Sequence, residues 1–457
     1  MKFFYRFVQR FIFVLLLISI LLGVLVSCKA GAGKESTDTT SLTDDSVSLN
    51  GIPLTEYTVV YPWSDNIGEK KIAYELQKAI QMFFGVQLNV MVDYDGVPQK
   101  AIVVGDVKNT AMTSVTTLLE AEDWCLTADE NHVYLLAKSE YGFQKALEDF
   151  LTVVNAASEN KIITVLKSDK KSYRDKKMTT MTFNIRNWDT TTNHLQRIRY
   201  VIKNNMPDVI GFQEMSNKSG YEWVNKLMAD AEIATMYGYI GESRADSTGE
   251  QVPIFYRKDK FTVVESDTRW LYCLHGIKCS SDACIGEDTP GNFSKELQYN
   301  RIYTYARLKR ISDGKEMTFI NTHLETSGTE YQGVKVQTKE IDYILNFAQK
   351  LTQNGETVVL TGDFNGQLTG EPCIKTLNSG FQSAERMSQN KIGAELPQGA
   401  MYESENRAMT RLIDHVFIAS ENCVFETYTY FDEKINIRGK LDYPSDHIPR
   451  MATYIVE

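Results

Sequence analysis

Two periodicities alternate along the first half of the chain. Tyr57 to Tyr61 is strand-like, and Glu69 to Phe84 then sets Ile72, Leu76, Ala79, Ile80 and Phe83 at helical spacing before Gly85, a helix-stopping residue. Val86 to Val92, Ala101 to Gly105, Trp124 to Thr127 and Val133 to Ala137 read as strands, and Tyr141 to Val154 as a closing helix. The pattern predicts a small α/β unit over residues 51–170, of ordinary domain size. Asp93 and Asp95 flank a turn at Gly96 and read as solvated turn carboxylates; His132 reads as a hairpin residue. No catalytic cluster stands out in this unit.

From Lys176 to Glu457 strands such as Met178 to Phe183 and Val209 to Phe212 interleave with helices such as Tyr331 to Lys350, a second α/β pattern. Here one placement recurs: an apolar strand runs out, and a carboxylate, Asn or His follows at once. Thr182-Phe183-Asn184, Gly211-Phe212-Gln213-Glu214, Ile320-Asn321-Thr322-His323 and Gly362-Asp363-Phe364-Asn365 are four cases; Ile413-Asp414-His415 and Ser445-Asp446-His447 complete the set. Side chains at the ends of neighbouring strands can meet at one rim of a sheet, so these six places can converge.

Ahead of both units, Lys2, Arg6 and Arg10 precede an uncharged apolar run from Phe11 to Val26, the pattern of a secretory signal over residues 1–27. A signal-anchor helix is the competing reading, for which the run is short. Leu25-Val26-Ser27-Cys28 resembles the bacterial lipobox, which implies lipidation of Cys28 and a lipid-anchored place in a bacterial cell envelope. Lys29, in a position where Asp marks inner-membrane retention in enteric-type bacteria, points to the outer membrane. Residues 28–50, rich in Gly, Ala, Ser, Thr and Asp and free of aromatics, read as a flexible tether.

Composition narrows the class. With 43% hydrophobic residues over 457, disordered, collagen-like and disulfide-scaffold proteins are excluded. The chain carries 49 basic and 59 acidic residues, and the segment from Lys176 has 32 and 37, so a broad nucleic-acid coat is disfavoured. Loss of the signal removes three positive charges and takes the net from −10 to −13. Carboxylates, Asn and His without thiolates at the six strand ends suit a hard cation, Mg²⁺ or else Mn²⁺. That chemistry polarises phosphoryl oxygens while an Asp takes a proton from water. A His-Glu-x-x-His helix and a Gly-x-Ser-x-Gly elbow are both missing from the sequence.

The motifs TFNIR (182–186), GFQE (211–214), GEQVPIFYRKDKF (249–261), NTHLE (321–325), TGDFN (361–365), IDHVF (413–417) and SDH (445–447) resemble those of the endonuclease/exonuclease/phosphatase superfamily, in its order. The resemblance implies a four-layer α/β sandwich like that of deoxyribonuclease I over residues 176–457, preceded by the small α/β accessory domain. It implies Glu214, Asn184 and Asp446 at the metal, His447 at the scissile phosphate with Asp414 bonded to it, and Asp363 and Asn365 at the attacking water. It also implies His323 with Glu250 as its carboxylate partner, and Arg301 and Asn321 on the phosphate. The order of elements in the first unit resembles the non-catalytic N-terminal domain of some bacterial glycoside hydrolases.

The expectation is an envelope-anchored, metal-dependent phosphodiesterase or phosphatase. Its substrate would be a phosphoester in nucleic acid, a phospholipid headgroup or a sugar or inositol phosphate. The alternative is an envelope carbohydrate-binding lipoprotein with a vestigial hydrolase domain, against which the intact carboxylates count. Between Trp270 and Arg301 an insertion holds Cys273, Cys279, Cys284 and His275. Its spacing fits no zinc finger, a disulfide suits an exported loop, and its position makes it the candidate substrate-choosing element.

Overall fold

In the computed structural model, the described residues are 47–65, 67–107, 113–216, 218–244, 249–271, 301–331, 334–393, 402–403, 407–408 and 412–457. The signal, Cys28, nearly all of the tether and the cysteine-bearing insertion lie outside them. Among the described residues no helix is long and apolar enough to cross a membrane. The remaining cysteines, Cys125, Cys373 and Cys423, are free thiols. The chain divides into two compact units between Asp175 and Lys176.

The first unit is a sheet of β1 (Thr58–Tyr61), β2 (Asn89–Val92), β3 (Ala101–Val104), β4 (Asp123–Ala128), β5 (His132–Ala137) and β6 (Lys171–Ser172), ordered β2-β1-β3-β5-β4-β6. Helices α1 (Glu69–Phe84) and α2 (Glu140–Ala156) pack on each other beside it. Gly85 ends α1 at φ 72°, its N–H bonded to Gln81 O at 2.9 Å, which is the left-handed cap its position implies. Strand β2 starts three residues later than its apolar pattern suggests, because Val86 and Leu88 are buried outside the ladder. Asp93 departs from the expected solvated turn: it is buried and accepts the Trp63 N–H at 2.8 Å.

The second unit is built on two sheets. One contains β7 (Lys177–Asn184), β8 (Val209–Gln213), β9 (Tyr237–Ile240) and β10 (Ile254–Arg257). The other contains β11 (Phe261–Trp270), β12 (Ile302–Arg310), β13 (Glu316–His323), β14 (Thr357–Asp363), β15 (Gln382–Ser383) and β17 (Asp414–Ala419). Strands β16 (Asn390–Ile392), β18 (Cys423–Tyr430) and β19 (Arg450–Val456) complete the first, giving the orders β9-β10-β8-β7-β19-β18-β16 and β11-β12-β13-β14-β17-β15. Met178, Val209, Phe319, Val359, Val416 and Tyr454 fill the layer between the sheets. Helix α3 (Thr192–Asn205) lays Ile198, Val201 and Ile202 on Met181, Phe183, Ile210 and Phe212 of the first sheet. Helix α4 (Val336–Thr352) lays Ile341, Ile344 and Leu345 on Ile320, Val358 and Leu360 of the second. The result is the four-layer α/β sandwich. Helix α4 begins five residues after the expected Tyr331, because Glu330–Tyr331 and Val334–Lys335 pair as short strands first.

Strand parity now locates the functional rim. Successive side chains on a strand alternate faces, and Met178, Phe319, Val359 and Val416 all face the inter-sheet layer. Asn184, His323, Asp363 and Asp414 share their parity. Each is therefore the last inward-facing residue, or the first, of its strand, at the open end of the layer.

Candidate active site

Ladder register brings three of these groups side by side. His323 is opposite Asp363 across β13 and β14, and Asp363 is opposite Asp414 across β14 and β17. From the other sheet Asn184 donates through Nδ2 to Asp363 Oδ2 at 3.0 Å and to Glu214 Oε1 at 3.1 Å. One amide thus ties the two sheets together at the rim. Glu214 follows β8 with φ 60°, Asn365 follows β14 with φ 46°, and Arg186 has φ 59°. Left-handed backbone at non-glycine residues is uncommon, and its concentration at one rim marks a site held by its surroundings.

His447 stands between the carboxylates. Its Nδ1 lies 2.9 Å from Asp414 Oδ2 and its Nε2 lies 3.8 Å from Asp363 Oδ2. Burial opposes charge on this ring, but Asp414, Asp363 and Asp446 outweigh it and raise its pKa to about 10. His447 is therefore an imidazolium. Asp414 is held below the usual carboxylate range: burial pushes it up, and His447 and Arg450 pull it further down. Asp363 goes the other way. Burial and the charge of Asp414 raise it to about 7, although the Asn365 N–H at 2.8 Å and Asn184 support its ionised form. Of two adjacent carboxylates, the one bonded to the imidazolium keeps its charge and the other holds the proton more tightly.

His323 is nearly buried and its pKa lies well below normal, first through burial and then through Arg301 and Arg244. The ring is neutral. Asn365 Nδ2 reaches His323 Nε2 at 3.2 Å and Leu324 O at 2.9 Å. Arg301, also buried, sets its guanidinium 3.3 Å from Glu325 Oε1. His323, Glu250, Arg301 and Arg244 line one small cavity with Val252 and Ile302.

Glu250 and Asn321 depart from their expected roles. Glu250 is not bonded to His323: it accepts Asn187 Nδ2 at 2.5 Å and pairs with Arg244 at 3.0 Å, while His323 Nδ1 is buried without a partner among the described residues. Asn321 does not face a phosphate. Its Oδ1 accepts from Gln213 Nε2 at 2.7 Å and Thr361 Oγ1 at 3.1 Å, and its Nδ2 donates to Phe212 O at 2.7 Å and Pro253 O at 3.2 Å. Every hydrogen of that amide is used inside the inter-sheet layer. Gly211 belongs to the same contact, since a Cβ there would sit 2.2 Å from Thr361 Oγ1 and 2.6 Å from Asn321 Oδ1.

A divalent cation fits one side of the cluster. Asp363, Asp414 and His447 each offer an atom within 4.8 Å of the others, but the imidazolium already supplies their positive charge. Around Glu214 the balance is different. Its pKa is raised by burial and by Glu250 and Asp446, against the opposing charge of His447. Among the described residues the one ion partner of Asp446 Oδ2 is Arg186 Nε at 4.0 Å, with Ser445 Oγ 3.2 Å from its other oxygen. Asn184 departs from its expected ligand role as placed, because its NH₂ faces the carboxylates and its Oδ1 accepts the Arg186 N–H at 3.1 Å. Glu214 and Asp446 are the groups whose repulsion a cation would relieve.

Several supporting residues were not singled out by the sequence reading. Asn187 gives its N–H to Glu214 Oε2 at 3.2 Å as well as its amide to Glu250. Ser445 donates to Asn184 O at 2.7 Å and accepts the His447 N–H at 3.2 Å. Arg450, fully buried, donates to the backbone carbonyl of Asp414. Asn187 and Ser445 sit within or beside quoted motifs, whereas nothing in the sequence distinguishes Arg244 or Arg450 from other arginines.

The sequence model of the Endonuclease/Exonuclease/phosphatase family matches residues 181–447, which contain all these groups except Arg450. No curated protein matches the chain. Among solved structures, a family protein of Bacteroides thetaiotaomicron is 22% identical, with a TM-score of 0.49 over 62% of this chain and 98% of that one. A mannosyl-6-phosphatase from the same species is 23% identical, at 0.49 over 61% and 100%. A family protein of Bacteroides vulgatus is 23% identical, at 0.49 over 62% and 99%. With the family model covering more than half its length, the chain belongs to the endonuclease/exonuclease/phosphatase family.

Proposed function

We propose that the second unit is a metal-dependent phosphoester hydrolase in which water attacks phosphorus. The observation that carries this reading is the charge-separated row Asp363, His447 and Asp414 beside Glu214. An acceptor with a pKa of about 7 suits a group that must hold a water and take its proton near neutral pH. Asp363 is that group, with its other oxygen fixed by the Asn365 N–H. His447 keeps its charge through Asp414 and turns Nε2 toward the same space, where it stabilises negative charge growing on phosphoryl oxygens. His323, neutral, and the Asn365 amide offer further polar contacts, and Arg301 adds a cation from the neighbouring cavity.

Glu214 and Asp446 would hold the cation, Mg²⁺ or Mn²⁺ by the oxygen character of the set. When bound, it supplies Lewis acidity toward a phosphoryl oxygen and offsets charge on the departing alcohol. We further propose that lipidated Cys28 tethers the protein to the outer membrane of a bacterial envelope, which the Leu-Val-Ser-Cys sequence supports.

The test presents purified protein with plasmid DNA, bis-p-nitrophenyl phosphate, sphingomyelin and inositol phosphates, with Mg²⁺ or with EDTA. EDTA-sensitive hydrolysis of at least one is expected, together with weaker Mg²⁺ binding by Glu214→Gln in calorimetry. Inactivity on every substrate would count against the reading.

A further inference from the structure

Helix α4 starts directly behind the two loops that carry the reacting groups, and its second residue presents a buried amide to both. Gln337 Nε2 lies 2.6 Å from Glu325 O, 3.1 Å from Phe364 O and 3.1 Å from Asn365 O. Two N–H bonds are shared among three carbonyls, one following β13 and two following β14. One turn further along, Glu340 Oε2 accepts the Glu325 N–H at 2.7 Å. The start of one helix therefore grips residue 325 by both its N–H and its carbonyl, and reaches across to residues 364 and 365.

Residue 365 is where this grip matters. Asn365 is left-handed at φ 46°, and in that conformation its N–H meets Asp363 Oδ1 at 2.8 Å while its side chain reaches Leu324 O and His323. Nothing in the Asn365 side chain holds its own carbonyl; Gln337 does. We propose that Gln337 is a positioning residue, which sets the turn at Asn365 and through it the orientation of Asp363 and His323. The proposal rests on the hydrolytic reading of Asp363. An apolar side chain at 337 deprives the buried Glu325 and Phe364 carbonyls and the part-buried Asn365 carbonyl of this donor, so the turn relaxes rather than the strands.

A strut that only stabilised the fold would behave differently, and the two are separable. The full chain carrying Gln337→Met is compared with wild type, Asn365→Ala and the double variant, on bis-p-nitrophenyl phosphate with Mg²⁺. Amide hydrogen exchange is followed in parallel. We expect kcat per folded molecule to fall by roughly tenfold to a hundredfold with KM little changed. The double variant should lose little more than Asn365→Ala, because both substitutions act through one group. Exchange should quicken at 364–366 and not in β19. Gln337→His, which keeps a ring N–H, serves in the same comparison if the Met variant does not fold. Wild-type kcat, multiplying losses in the double variant, or unchanged exchange at 364–366 each overturn the proposal. If wild type itself hydrolyses nothing, the functional reading fails, and the exchange experiment alone decides whether Gln337 holds the turn.

Discussion

His447 and Asp414 form a buried ion pair, with Nδ1 2.9 Å from Oδ2 and both residues almost wholly shielded from solvent. Removing one partner strands the other charge. Asp414→Asn is predicted to cost about 3–5 kcal/mol in urea unfolding. Turnover should drop by about 10²–10⁴-fold in protein that remains folded, because the positive charge at Nε2 depends on Asp414. Near-normal turnover in this variant would remove His447 from the mechanism.

The same pair sets a pH window for stability. The folded pKa of His447, about 10, lies above its ordinary 6.5, so its contribution is complete below 6.5 and disappears as pH rises through about 10. Asp414 lies below its ordinary 3.8, so its contribution is present above 3.8 and fades as pH falls through the lowered value. The stability difference between wild type and His447→Gln should therefore be greatest near pH 6 and shrink toward pH 10. A difference that stays constant from pH 6 to 10 would contradict the assignment of charge.

Asp363 has the opposite linkage to Asp414. Its folded pKa of about 7 exceeds the ordinary 3.8, so the folded state loses stability relative to the unfolded one as pH rises between those values. In EDTA, Asp363→Asn should gain on wild type from about pH 4 to about pH 7 in thermal unfolding, after which the gap should hold. A gap independent of pH would show that the carboxyl titrates normally.

Asn321 is predicted to matter for folding and not for substrate. Asn321→Leu takes the side-chain donor from the buried Phe212 carbonyl and one bond each from Gln213 Nε2, which keeps Gly211 O, and from Pro253 O, which keeps the Phe212 N–H, at about 1–3 kcal/mol for a buried group left unsatisfied. Its KM should match wild type per folded molecule; a raised KM with unchanged stability would restore a phosphate contact.

The sequence exposed the rim because its chemistry is written as a rule: apolar strand, then carboxylate, Asn or His. That rule found Asn184, Glu214, Asp363, Asp414 and His447, which the sandwich brings to one place. It failed for Asn321, which shares strand and parity with His323 but sits two residues, about 6.6 Å, deeper. Alternation tells which face a side chain takes and not how far along the layer water reaches. Glu250 was misjudged because its two partners, Asn187 and Arg244, come from loops. Helix α4 was legible from its apolar stripe, yet the role of Gln337 needed the two loops behind it in place. Asp93 shows the same limit, since a turn carboxylate and a buried acceptor of a distant N–H have one sequence signature.

The most direct measurement is hydrolysis of a phosphoester by wild type, Asp363→Asn and His447→Ala, each verified as folded and assayed with Mg²⁺ and with EDTA. Wild type is expected to turn over substrate with Mg²⁺ and to lose all turnover in EDTA, and both variants are expected to be inactive. Retention of wild-type turnover in either folded variant, or a wild type indifferent to EDTA, would contradict that expectation.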